Sequence, residues 1–161
     1  MLKRLVVGGL GLGVAAWAGI AGVDSTTRDD AGQITVQGEL GVFVTQLGDC
    51  INDMPDVTTI STVTGVPCDQ PHHWQVVHKQ DLAFEEFSRS AVKKEATLIC
   101  TAAIEELITS FVTANDEEIN DYENGQANYL FPMEDSWAEG DRTVDCLIGS
   151  FTEFYTGSLL D

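Results

Sequence analysis

The pattern of hydrophobic and polar positions is clearest between residues 88 and 112, a stretch without glycine or proline. Apolar residues recur there at the spacing of one helical face: Val92, Ala96, Ile99, Ala103 and Leu107. Ile104, Ile108 and Phe111 widen this stripe, and Cys100 lies beside it. The stretch therefore predicts one amphipathic helix of about 24 residues and about 36 Å, which is long enough to span a small domain.

Short segments rich in β-branched and aromatic residues lie on both sides of this helix. They predict one or two strands between residues 34 and 47, the second over 42–47, and further strands over 57–66, 73–78, 129–132 and 144–148. Turns are predicted at 48–50, 67–71 and Gly140-Asp141. Strands, one long helix and then more strands predict an α+β fold with a small, mainly antiparallel sheet packed by the helix.

The N-terminus has a different pattern. Lys3 and Arg4 precede 19 residues without a charge, from position 5 to position 23. This length suffices to cross a bilayer, whereas Ala16-Trp17-Ala18 fits a signal-peptidase site. The long apolar run favours a single-pass membrane anchor over 1–23, with a cleaved signal peptide as the alternative. Either way the polar segment 24–38 is predicted to be a linker, and 39–161 to be a domain outside the membrane.

Net charge narrows the range of partners. All 26 acidic residues follow position 23, where only six basic residues accompany them, so the exported part carries a formal charge of −20. Such a surface repels nucleic acid and anionic lipid headgroups. We therefore expect no nucleic-acid partner, and a membrane contact only through the N-terminal helix.

The four cysteines agree with export. An even number of cysteines in an exported domain predicts two disulfides among Cys50, Cys68, Cys100 and Cys146. Three connectivities are possible. We favour Cys50–Cys68, which closes a short loop, and Cys100–Cys146, which would tie the helix to a late strand.

The segment CDQPHHWQVVH, residues 68–78, holds all three histidines and invites a metal or thiol hypothesis. Zinc ligands usually include a paired Cys-x-x-Cys, which the spacing of Cys68, His72, His73 and His78 lacks. A catalytic thiolate would require an unpaired cysteine. The sequence thus predicts a turn that leads into a strand, with no metal, no cofactor and no catalytic residue.

A second constellation is Trp137, Asp141 and Arg142. An arginine can stabilise a turn through a bidentate ion pair with a carboxylate. Asp49 and Asp141 are the candidate partners of Arg142. Trp137 is expected to pack over the Cys100–Cys146 region. We interpret this group as structural, with a tryptophan–arginine hot spot for a binding partner as the alternative.

These landmarks occur in a recognisable order: Gly48-Asp49-Cys50, Val66-Pro67-Cys68-Asp69-Gln70-Pro71-His72, Cys100 on a helix, Pro132, Trp137, Gly140-Asp141-Arg142, Cys146 and Thr156-Gly157-Ser158-Leu159. Over residues 40 to 161 the chain resembles the septum formation domain family of actinobacterial envelope proteins. The resemblance implies a membrane-anchored or secreted domain with disulfide-bonded cysteines, linked to division septa and to no known reaction. The family continues Pro-His with Asp-x-Glu-Val, whereas this chain has His73-Trp74-Gln75-Val76.

From these features we expect a non-enzymatic extracytoplasmic binding or scaffold domain at the bacterial cell envelope, with an unknown envelope or division protein as its partner. The positions expected to serve structure or binding are Asp49, His72, Trp137, Asp141 and Arg142. One alternative is an envelope-polymer hydrolase or metal-dependent enzyme, and another is a secreted adhesin or inhibitor.

Overall fold

A computed structural model of the chain describes residues 2–6, 12–16, 22–54, 60–114 and 125–160. In chain order its elements are β1 Leu2–Val6, β2 Leu12–Ala16, β3 Thr27–Arg28, β4 Ile34–Val36, β5 Gly38–Gly41, β6 Cys50–Asn52, β7 Thr62–Val66, β8 Trp74–Asp81, α1 Arg89–Ala114, β9 Gln126–Pro132, α2 Glu134–Ala138 and β10 Thr143–Gly149. The expected α+β class is confirmed.

One antiparallel sheet organises the described part of the chain. Its strand order is β2-β1-β9-β10-β8-β6-β7-β5, and β3 pairs with β4 in a separate two-stranded sheet. The last strand, β10, thus lies between β9 and β8, with Cys146 opposite both Tyr129 and His78. At the end of β10, a Cβ on Gly149 would come within 2.0 Å of the His73 carbonyl oxygen, so only glycine fits this close approach of two backbones.

The helix α1 covers one face of the sheet, as the apolar stripe predicts. Its buried side chains are Val92, Ala96, Cys100 and Ile104, which recur at intervals of four residues. The predicted stripe was centred about one position away, because Ile99 and Leu107 only flank this core. The helix packs on β8, β9 and β10, and its core includes the disulfide between Cys100 and Cys146.

A second apolar cluster covers the opposite face. It joins Leu40, Ile51, Trp74, Val76 and Leu147 from the sheet to Ile34 of β4 and to Val42. Because both faces are covered, the central strands β8 and β10 contain continuous runs of buried residues instead of an alternating pattern.

The strand predicted over 42–47 is wrong. The chain turns here, with the Val44 amide bonded to the Gly41 carbonyl and the Thr45 hydroxyl bonded to both Val42 O and Asp145 Oδ2. Lys79 Nζ also donates to the Thr45 carbonyl and pairs with Asp145. These side-chain bonds replace ladder bonds, which the local propensity for strand did not anticipate.

Two short elements were also not predicted. The strand β6 begins at Cys50, where a turn was expected, and α2 follows β9 after Pro132. The Met133 amide donates to Ser136 Oγ at the start of α2, which supplies a partner for an N-terminal backbone group. The predicted turn at 67–71, the strand after it and the strand through Cys146 are all present.

The N-terminal region contains strands where the sequence suggested a membrane helix. The hairpin β1–β2 extends the sheet, with Leu5 opposite Phe131 of β9. None of the helices that the structure describes is long and apolar enough to cross a membrane. The rest of residues 1–21 lies outside the described residues, and the anchor or signal peptide stays a prediction. The segment 24–38, predicted as a linker, contains the β3–β4 hairpin.

Candidate functional site

A groove of about 660 Å³ opens beside the Cys50–Cys68 disulfide, and we call it the disulfide groove. Its walls come from four separated parts of the chain, which the sheet brings together: residues 31–35, 46–50, 66–70, and 157, 158 and 160. Three of these parts hold the motifs that suggested the family, namely Gly48-Asp49-Cys50, Val66 to Gln70 and Gly157-Ser158. The disulfide joins the first of these motifs to the second.

Buried Gln75 of β8 joins the first of these motifs to the third. Its Nε2 donates to the Gly48 carbonyl at 3.2 Å and to Ser158 Oγ at 2.9 Å, while its Oε1 accepts from the Leu159 amide at 2.8 Å. This residue stands where the family pattern has glutamate. An ionised carboxylate cannot donate to the Gly48 carbonyl, so this bond depends on the amide. The sequence marked Gln75 as a departure without indicating this role.

Asp49 is buried next to the groove and forms a two-pronged ion pair with Arg28 of β3. Arg28 Nη1 lies 2.6 Å from Asp49 Oδ1, and Nη2 lies 2.9 Å from Oδ2, which also accepts from the Gln46 amide. The hydrogen bond to Asp49 raises the pKa of Arg28. Asp49 thus pairs with Arg28 and not with Arg142, which corrects one of the two partners expected from the sequence.

The three histidines do not form a cluster. His72 is fully buried, and its backbone exchanges two hydrogen bonds with Tyr155. His73 stacks on the exposed ring of Phe154 at 4.0 Å, and His78 Nε2 lies 3.4 Å from Gln80 Oε1. None of the three lines the disulfide groove. The segment 68–78 contributes to the groove through Cys68, Asp69 and Gln70, which precede the histidines.

His72 is a buried neutral base. Its Nδ1 lies 2.9 Å from the Gln70 carbonyl oxygen, which can only accept, so Nδ1 carries the proton. Burial lowers the pKa of His72 below its ordinary value near 6.5. Unfolding therefore exposes a histidine that binds a proton more readily than the folded one does.

We expect the free energy of unfolding to fall as the pH drops below about 6.5. The unfolded chain then binds a proton at His72, whereas the folded chain binds it only at lower pH because of the lowered pKa. Above that pH this contribution is constant. In urea titrations between pH 7 and pH 5, His72→Asn should flatten the dependence, since asparagine keeps a donor and does not titrate. The matched control is His78→Asn, on a partly exposed residue, and an equal change in both slopes would contradict the role of His72.

Trp137, Asp141 and Arg142 form a second constellation, at the end of α2. The Arg142 guanidinium lies 3.7 Å from the centroid of the Trp137 ring. Its Nη1 donates to the backbone carbonyls of Trp137 and Asp141, at 2.8 Å each. The Asp141 carboxylate accepts from the Thr143 amide. Trp137 is buried in the core cluster that includes the Cys100–Cys146 disulfide. The arginine therefore holds a turn, but through carbonyls and an aromatic ring.

Arg142→Ala should lower the free energy of unfolding by about 1–2 kcal/mol, because it removes a cation–π contact and two bonds to carbonyl oxygens. The control is Arg89→Ala at the exposed start of α1, where a change of at most about 0.5 kcal/mol is expected. Thermal unfolding of both variants measures the difference. Equal melting temperatures would contradict the structural role of Arg142.

The disulfide groove is lined by both polar and apolar side chains. Among the residues that the structure describes, every cysteine is in a disulfide, and no three His, Cys, Asp or Glu side chains are grouped to hold a metal ion. The lining instead includes amide and hydroxyl side chains, from Gln33, Gln46, Gln70 and Ser158, beside apolar Leu47 and Leu160. Such groups can bond and pack against a ligand.

Comparison with known proteins gives one match. No curated protein and no solved structure matches the chain significantly. The family model described as "Septum formation" matches residues 20–148, which is 129 of the 161 residues. This range includes the first two motifs of the groove and both disulfides, and it ends before Gly157 and Ser158. The chain therefore belongs to the Septum formation family.

Proposed function

We propose that this protein is a non-enzymatic binding or scaffold domain that acts outside the cytoplasmic membrane in septum formation, and that the disulfide groove is its binding site. Membership of the Septum formation family supports the link to the septum. The observation that carries the binding role is the convergence on one groove of Gly48-Asp49-Cys50, Val66 to Gln70 and Gly157-Ser158, with the buried carboxylate and both cysteines of the lining already engaged. Asp49 is paired with Arg28, and Cys50 with Cys68.

Location outside the cytoplasm is supported by the two disulfides. Structural disulfides persist in oxidising compartments and are rare in the cytosol. The basic start and the uncharged run of residues 5–23 provide an export signal, either as a single-pass anchor or as a cleaved peptide. We propose the anchor, in which the residues of the β1–β2 hairpin would form a membrane helix instead of sheet strands. The membrane would then be the first partner and an envelope or division protein the second.

Export and anchoring are tested together by a fusion of alkaline phosphatase to the C-terminus of the full chain. Phosphatase activity in intact cells is expected, and its absence would contradict the extracytoplasmic location. The intact mass of the protein recovered from cells separates the two kinds of export signal, because the anchor keeps residues 1–23 and a signal peptide does not.

The role of the groove is tested by a matched pair of substitutions. Leu47 in the groove and Leu98 on the outer face of α1 are exposed to a similar degree, 59% and 55%. Leu47→Asp and Leu98→Asp therefore change the surface equally with little cost to the core. In dividing cells we expect Leu47→Asp to lose enrichment of the tagged protein at the septum and Leu98→Asp to keep it.

Two outcomes would contradict this proposal. If both variants are enriched at the septum as well as the natural chain, the groove is not the binding site. If the purified protein cleaves an envelope polymer in a reaction that Leu47→Asp abolishes, the protein is a hydrolase instead of a scaffold.

A further inference from the structure

In the part of the chain that the structure describes, one edge of β4 has no strand partner, and the strand lies beside the disulfide groove. Within the described residues, its only sheet neighbour is β3, with Thr27 opposite Val36 and Arg28 opposite Ile34. The register shift between these pairs leaves Thr35 as an extra residue, and its hydroxyl turns back to the Thr27 carbonyl. Ile34 and Thr35 of β4 line the groove, whereas β3 reaches its wall only through the Arg28 side chain, which bonds to Gly32 and Asp49.

An unpaired strand edge is a template for another strand. Its free amides and carbonyls bond to any extended chain that lies beside it. Three residues of β4 correspond to about 10 Å of extended backbone. The groove beside them, at about 660 Å³, lies within the usual size range of ligand sites.

The groove also provides an apolar contact. Leu47 and Leu160, which are 59% and 38% exposed, are among the few large apolar side chains that the described surface leaves open, and both line this cavity. Side chains alternate along an extended peptide, so every second one can enter a groove beside the strand. The lining contains no aromatic residue, and aromatic rings are the stacking surfaces on which a flat ring would depend.

Charge indicates the kind of peptide. Among the described residues, no lysine or arginine lines the groove, and exposed Asp69 does. Asp29 and Asp30 lie at the turn between β3 and β4, while the nearby Arg28 is engaged by Asp49 and Asp24. Opposite charge across an interface speeds association and disfavours acidic competitors. A basic segment therefore fits the rim better than an acidic one.

We propose that the disulfide groove binds an extended, basic peptide segment, which pairs with β4 as a third strand and places an apolar side chain against Leu47 and Leu160. This inference rests on the proposed binding role of the groove and names the chemistry of its partner. The partner is then a protein that offers an extended basic segment, and recognition works mainly through the backbone and one apolar pocket.

The test uses the purified full-length protein and a displayed library of random dodecapeptides. We expect the enriched peptides to contain more lysine and arginine than the unselected library. Measured by calorimetry, they should bind Leu98→Asp as well as the natural chain and Leu47→Asp about tenfold or more weakly, a loss of about 1.4 kcal/mol. Thermal unfolding of both variants confirms that they are folded.

Pairing of the peptide backbone with β4 is tested by a separate experiment. N-methylation of alternate amides of an enriched peptide should abolish binding in one register and leave it in the other, because only one set faces β4. Failure to enrich any peptide, an enrichment of acidic peptides, equal binding to Leu47→Asp, or indifference to N-methylation would each overturn the proposal. So would an envelope polysaccharide that binds in a Leu47-dependent way. Each of these results concerns binding of the purified protein. The proposed function is tested separately, by enrichment of the tagged protein at the septum in cells.

Discussion

Replacing Cys100 and Cys146 together by alanine is expected to lower the melting temperature by about 15 °C. The disulfide joins α1 to the central strand β10 across 46 positions of sequence, and both cysteines are at most 1% exposed. The chain-entropy model gives about 4 kcal/mol for a loop of this size. For a domain of this length that corresponds to a shift of about 10–20 °C. Differential scanning calorimetry of the variant and the natural chain measures it.

The other disulfide provides an internal control. Cys50 and Cys68 close a loop of 18 positions, for which the same model gives about 3 kcal/mol, so their double alanine variant should melt at a higher temperature than the first. Reduction of both bonds together removes about 7 kcal/mol, a large part of the 5–15 kcal/mol that stabilises a typical domain. A transition unchanged by reduction would show that the cysteines are not bonded in solution.

Asp49→Ala is expected to cost about 3–5 kcal/mol, the second largest effect that the structure predicts. Asp49 is 4% exposed, and the substitution removes the carboxylate that accepts from the Gln46 amide and from two nitrogens of Arg28, which then keeps the more exposed Asp24 as its acidic partner. Urea titration measures the loss. The control is Asp69→Ala, because Asp69 lines the same groove but is exposed, and a change of at most about 0.5 kcal/mol is expected there.

A double-mutant cycle separates the ion pair from the rest of the site. Arg28→Ala should also destabilise strongly, because it leaves a buried carboxylate unpaired. The loss in free energy of unfolding of the double variant should then be clearly smaller than the sum of the losses of the two single variants. Additive losses would mean that Asp49 and Arg28 act independently, and that the contact does not hold the β3–β4 hairpin against the groove.

The elements that could be predicted are those whose signal is local. A long apolar stripe without glycine or proline predicts the helix. A turn-forming Pro-Cys-Asp-Gln-Pro segment followed by a run of strand-forming residues predicts β8. The disulfide pairing followed from a short loop and from one cysteine beside the helical stripe. The helix and β8 depend on neighbours in the sequence, which the chain shows directly, whereas the pairing was the favoured one of three possible connectivities.

The parts that could not be predicted depend on distant partners. Arg28 lies in a polar segment that is typical of a linker, and nothing nearby marks Asp49, 21 positions later, as its partner. The 42–47 segment has strand propensity, but Thr45 bonds to Asp145 across 100 positions. The groove itself arises where separated motifs meet. The ordered occurrence of these motifs was the only signal for the groove. The metal and thiol hypotheses concerned the histidines instead, and these lie elsewhere.

The position of β10 determines the order in which this molecule can be completed. The last of the described strands lies between β9 and β8, so each of these two strands lacks a hydrogen-bonding partner on its β10 side until residues 143–149 have been synthesised. A chain that emerges from a ribosome or a translocation channel N-terminus first can therefore form Cys50–Cys68 early. Cys100 must wait for Cys146, and the core under α1 closes in the same event. Completion of this fold therefore waits until residues 143–149 have emerged, and the chain stays only partly folded until then.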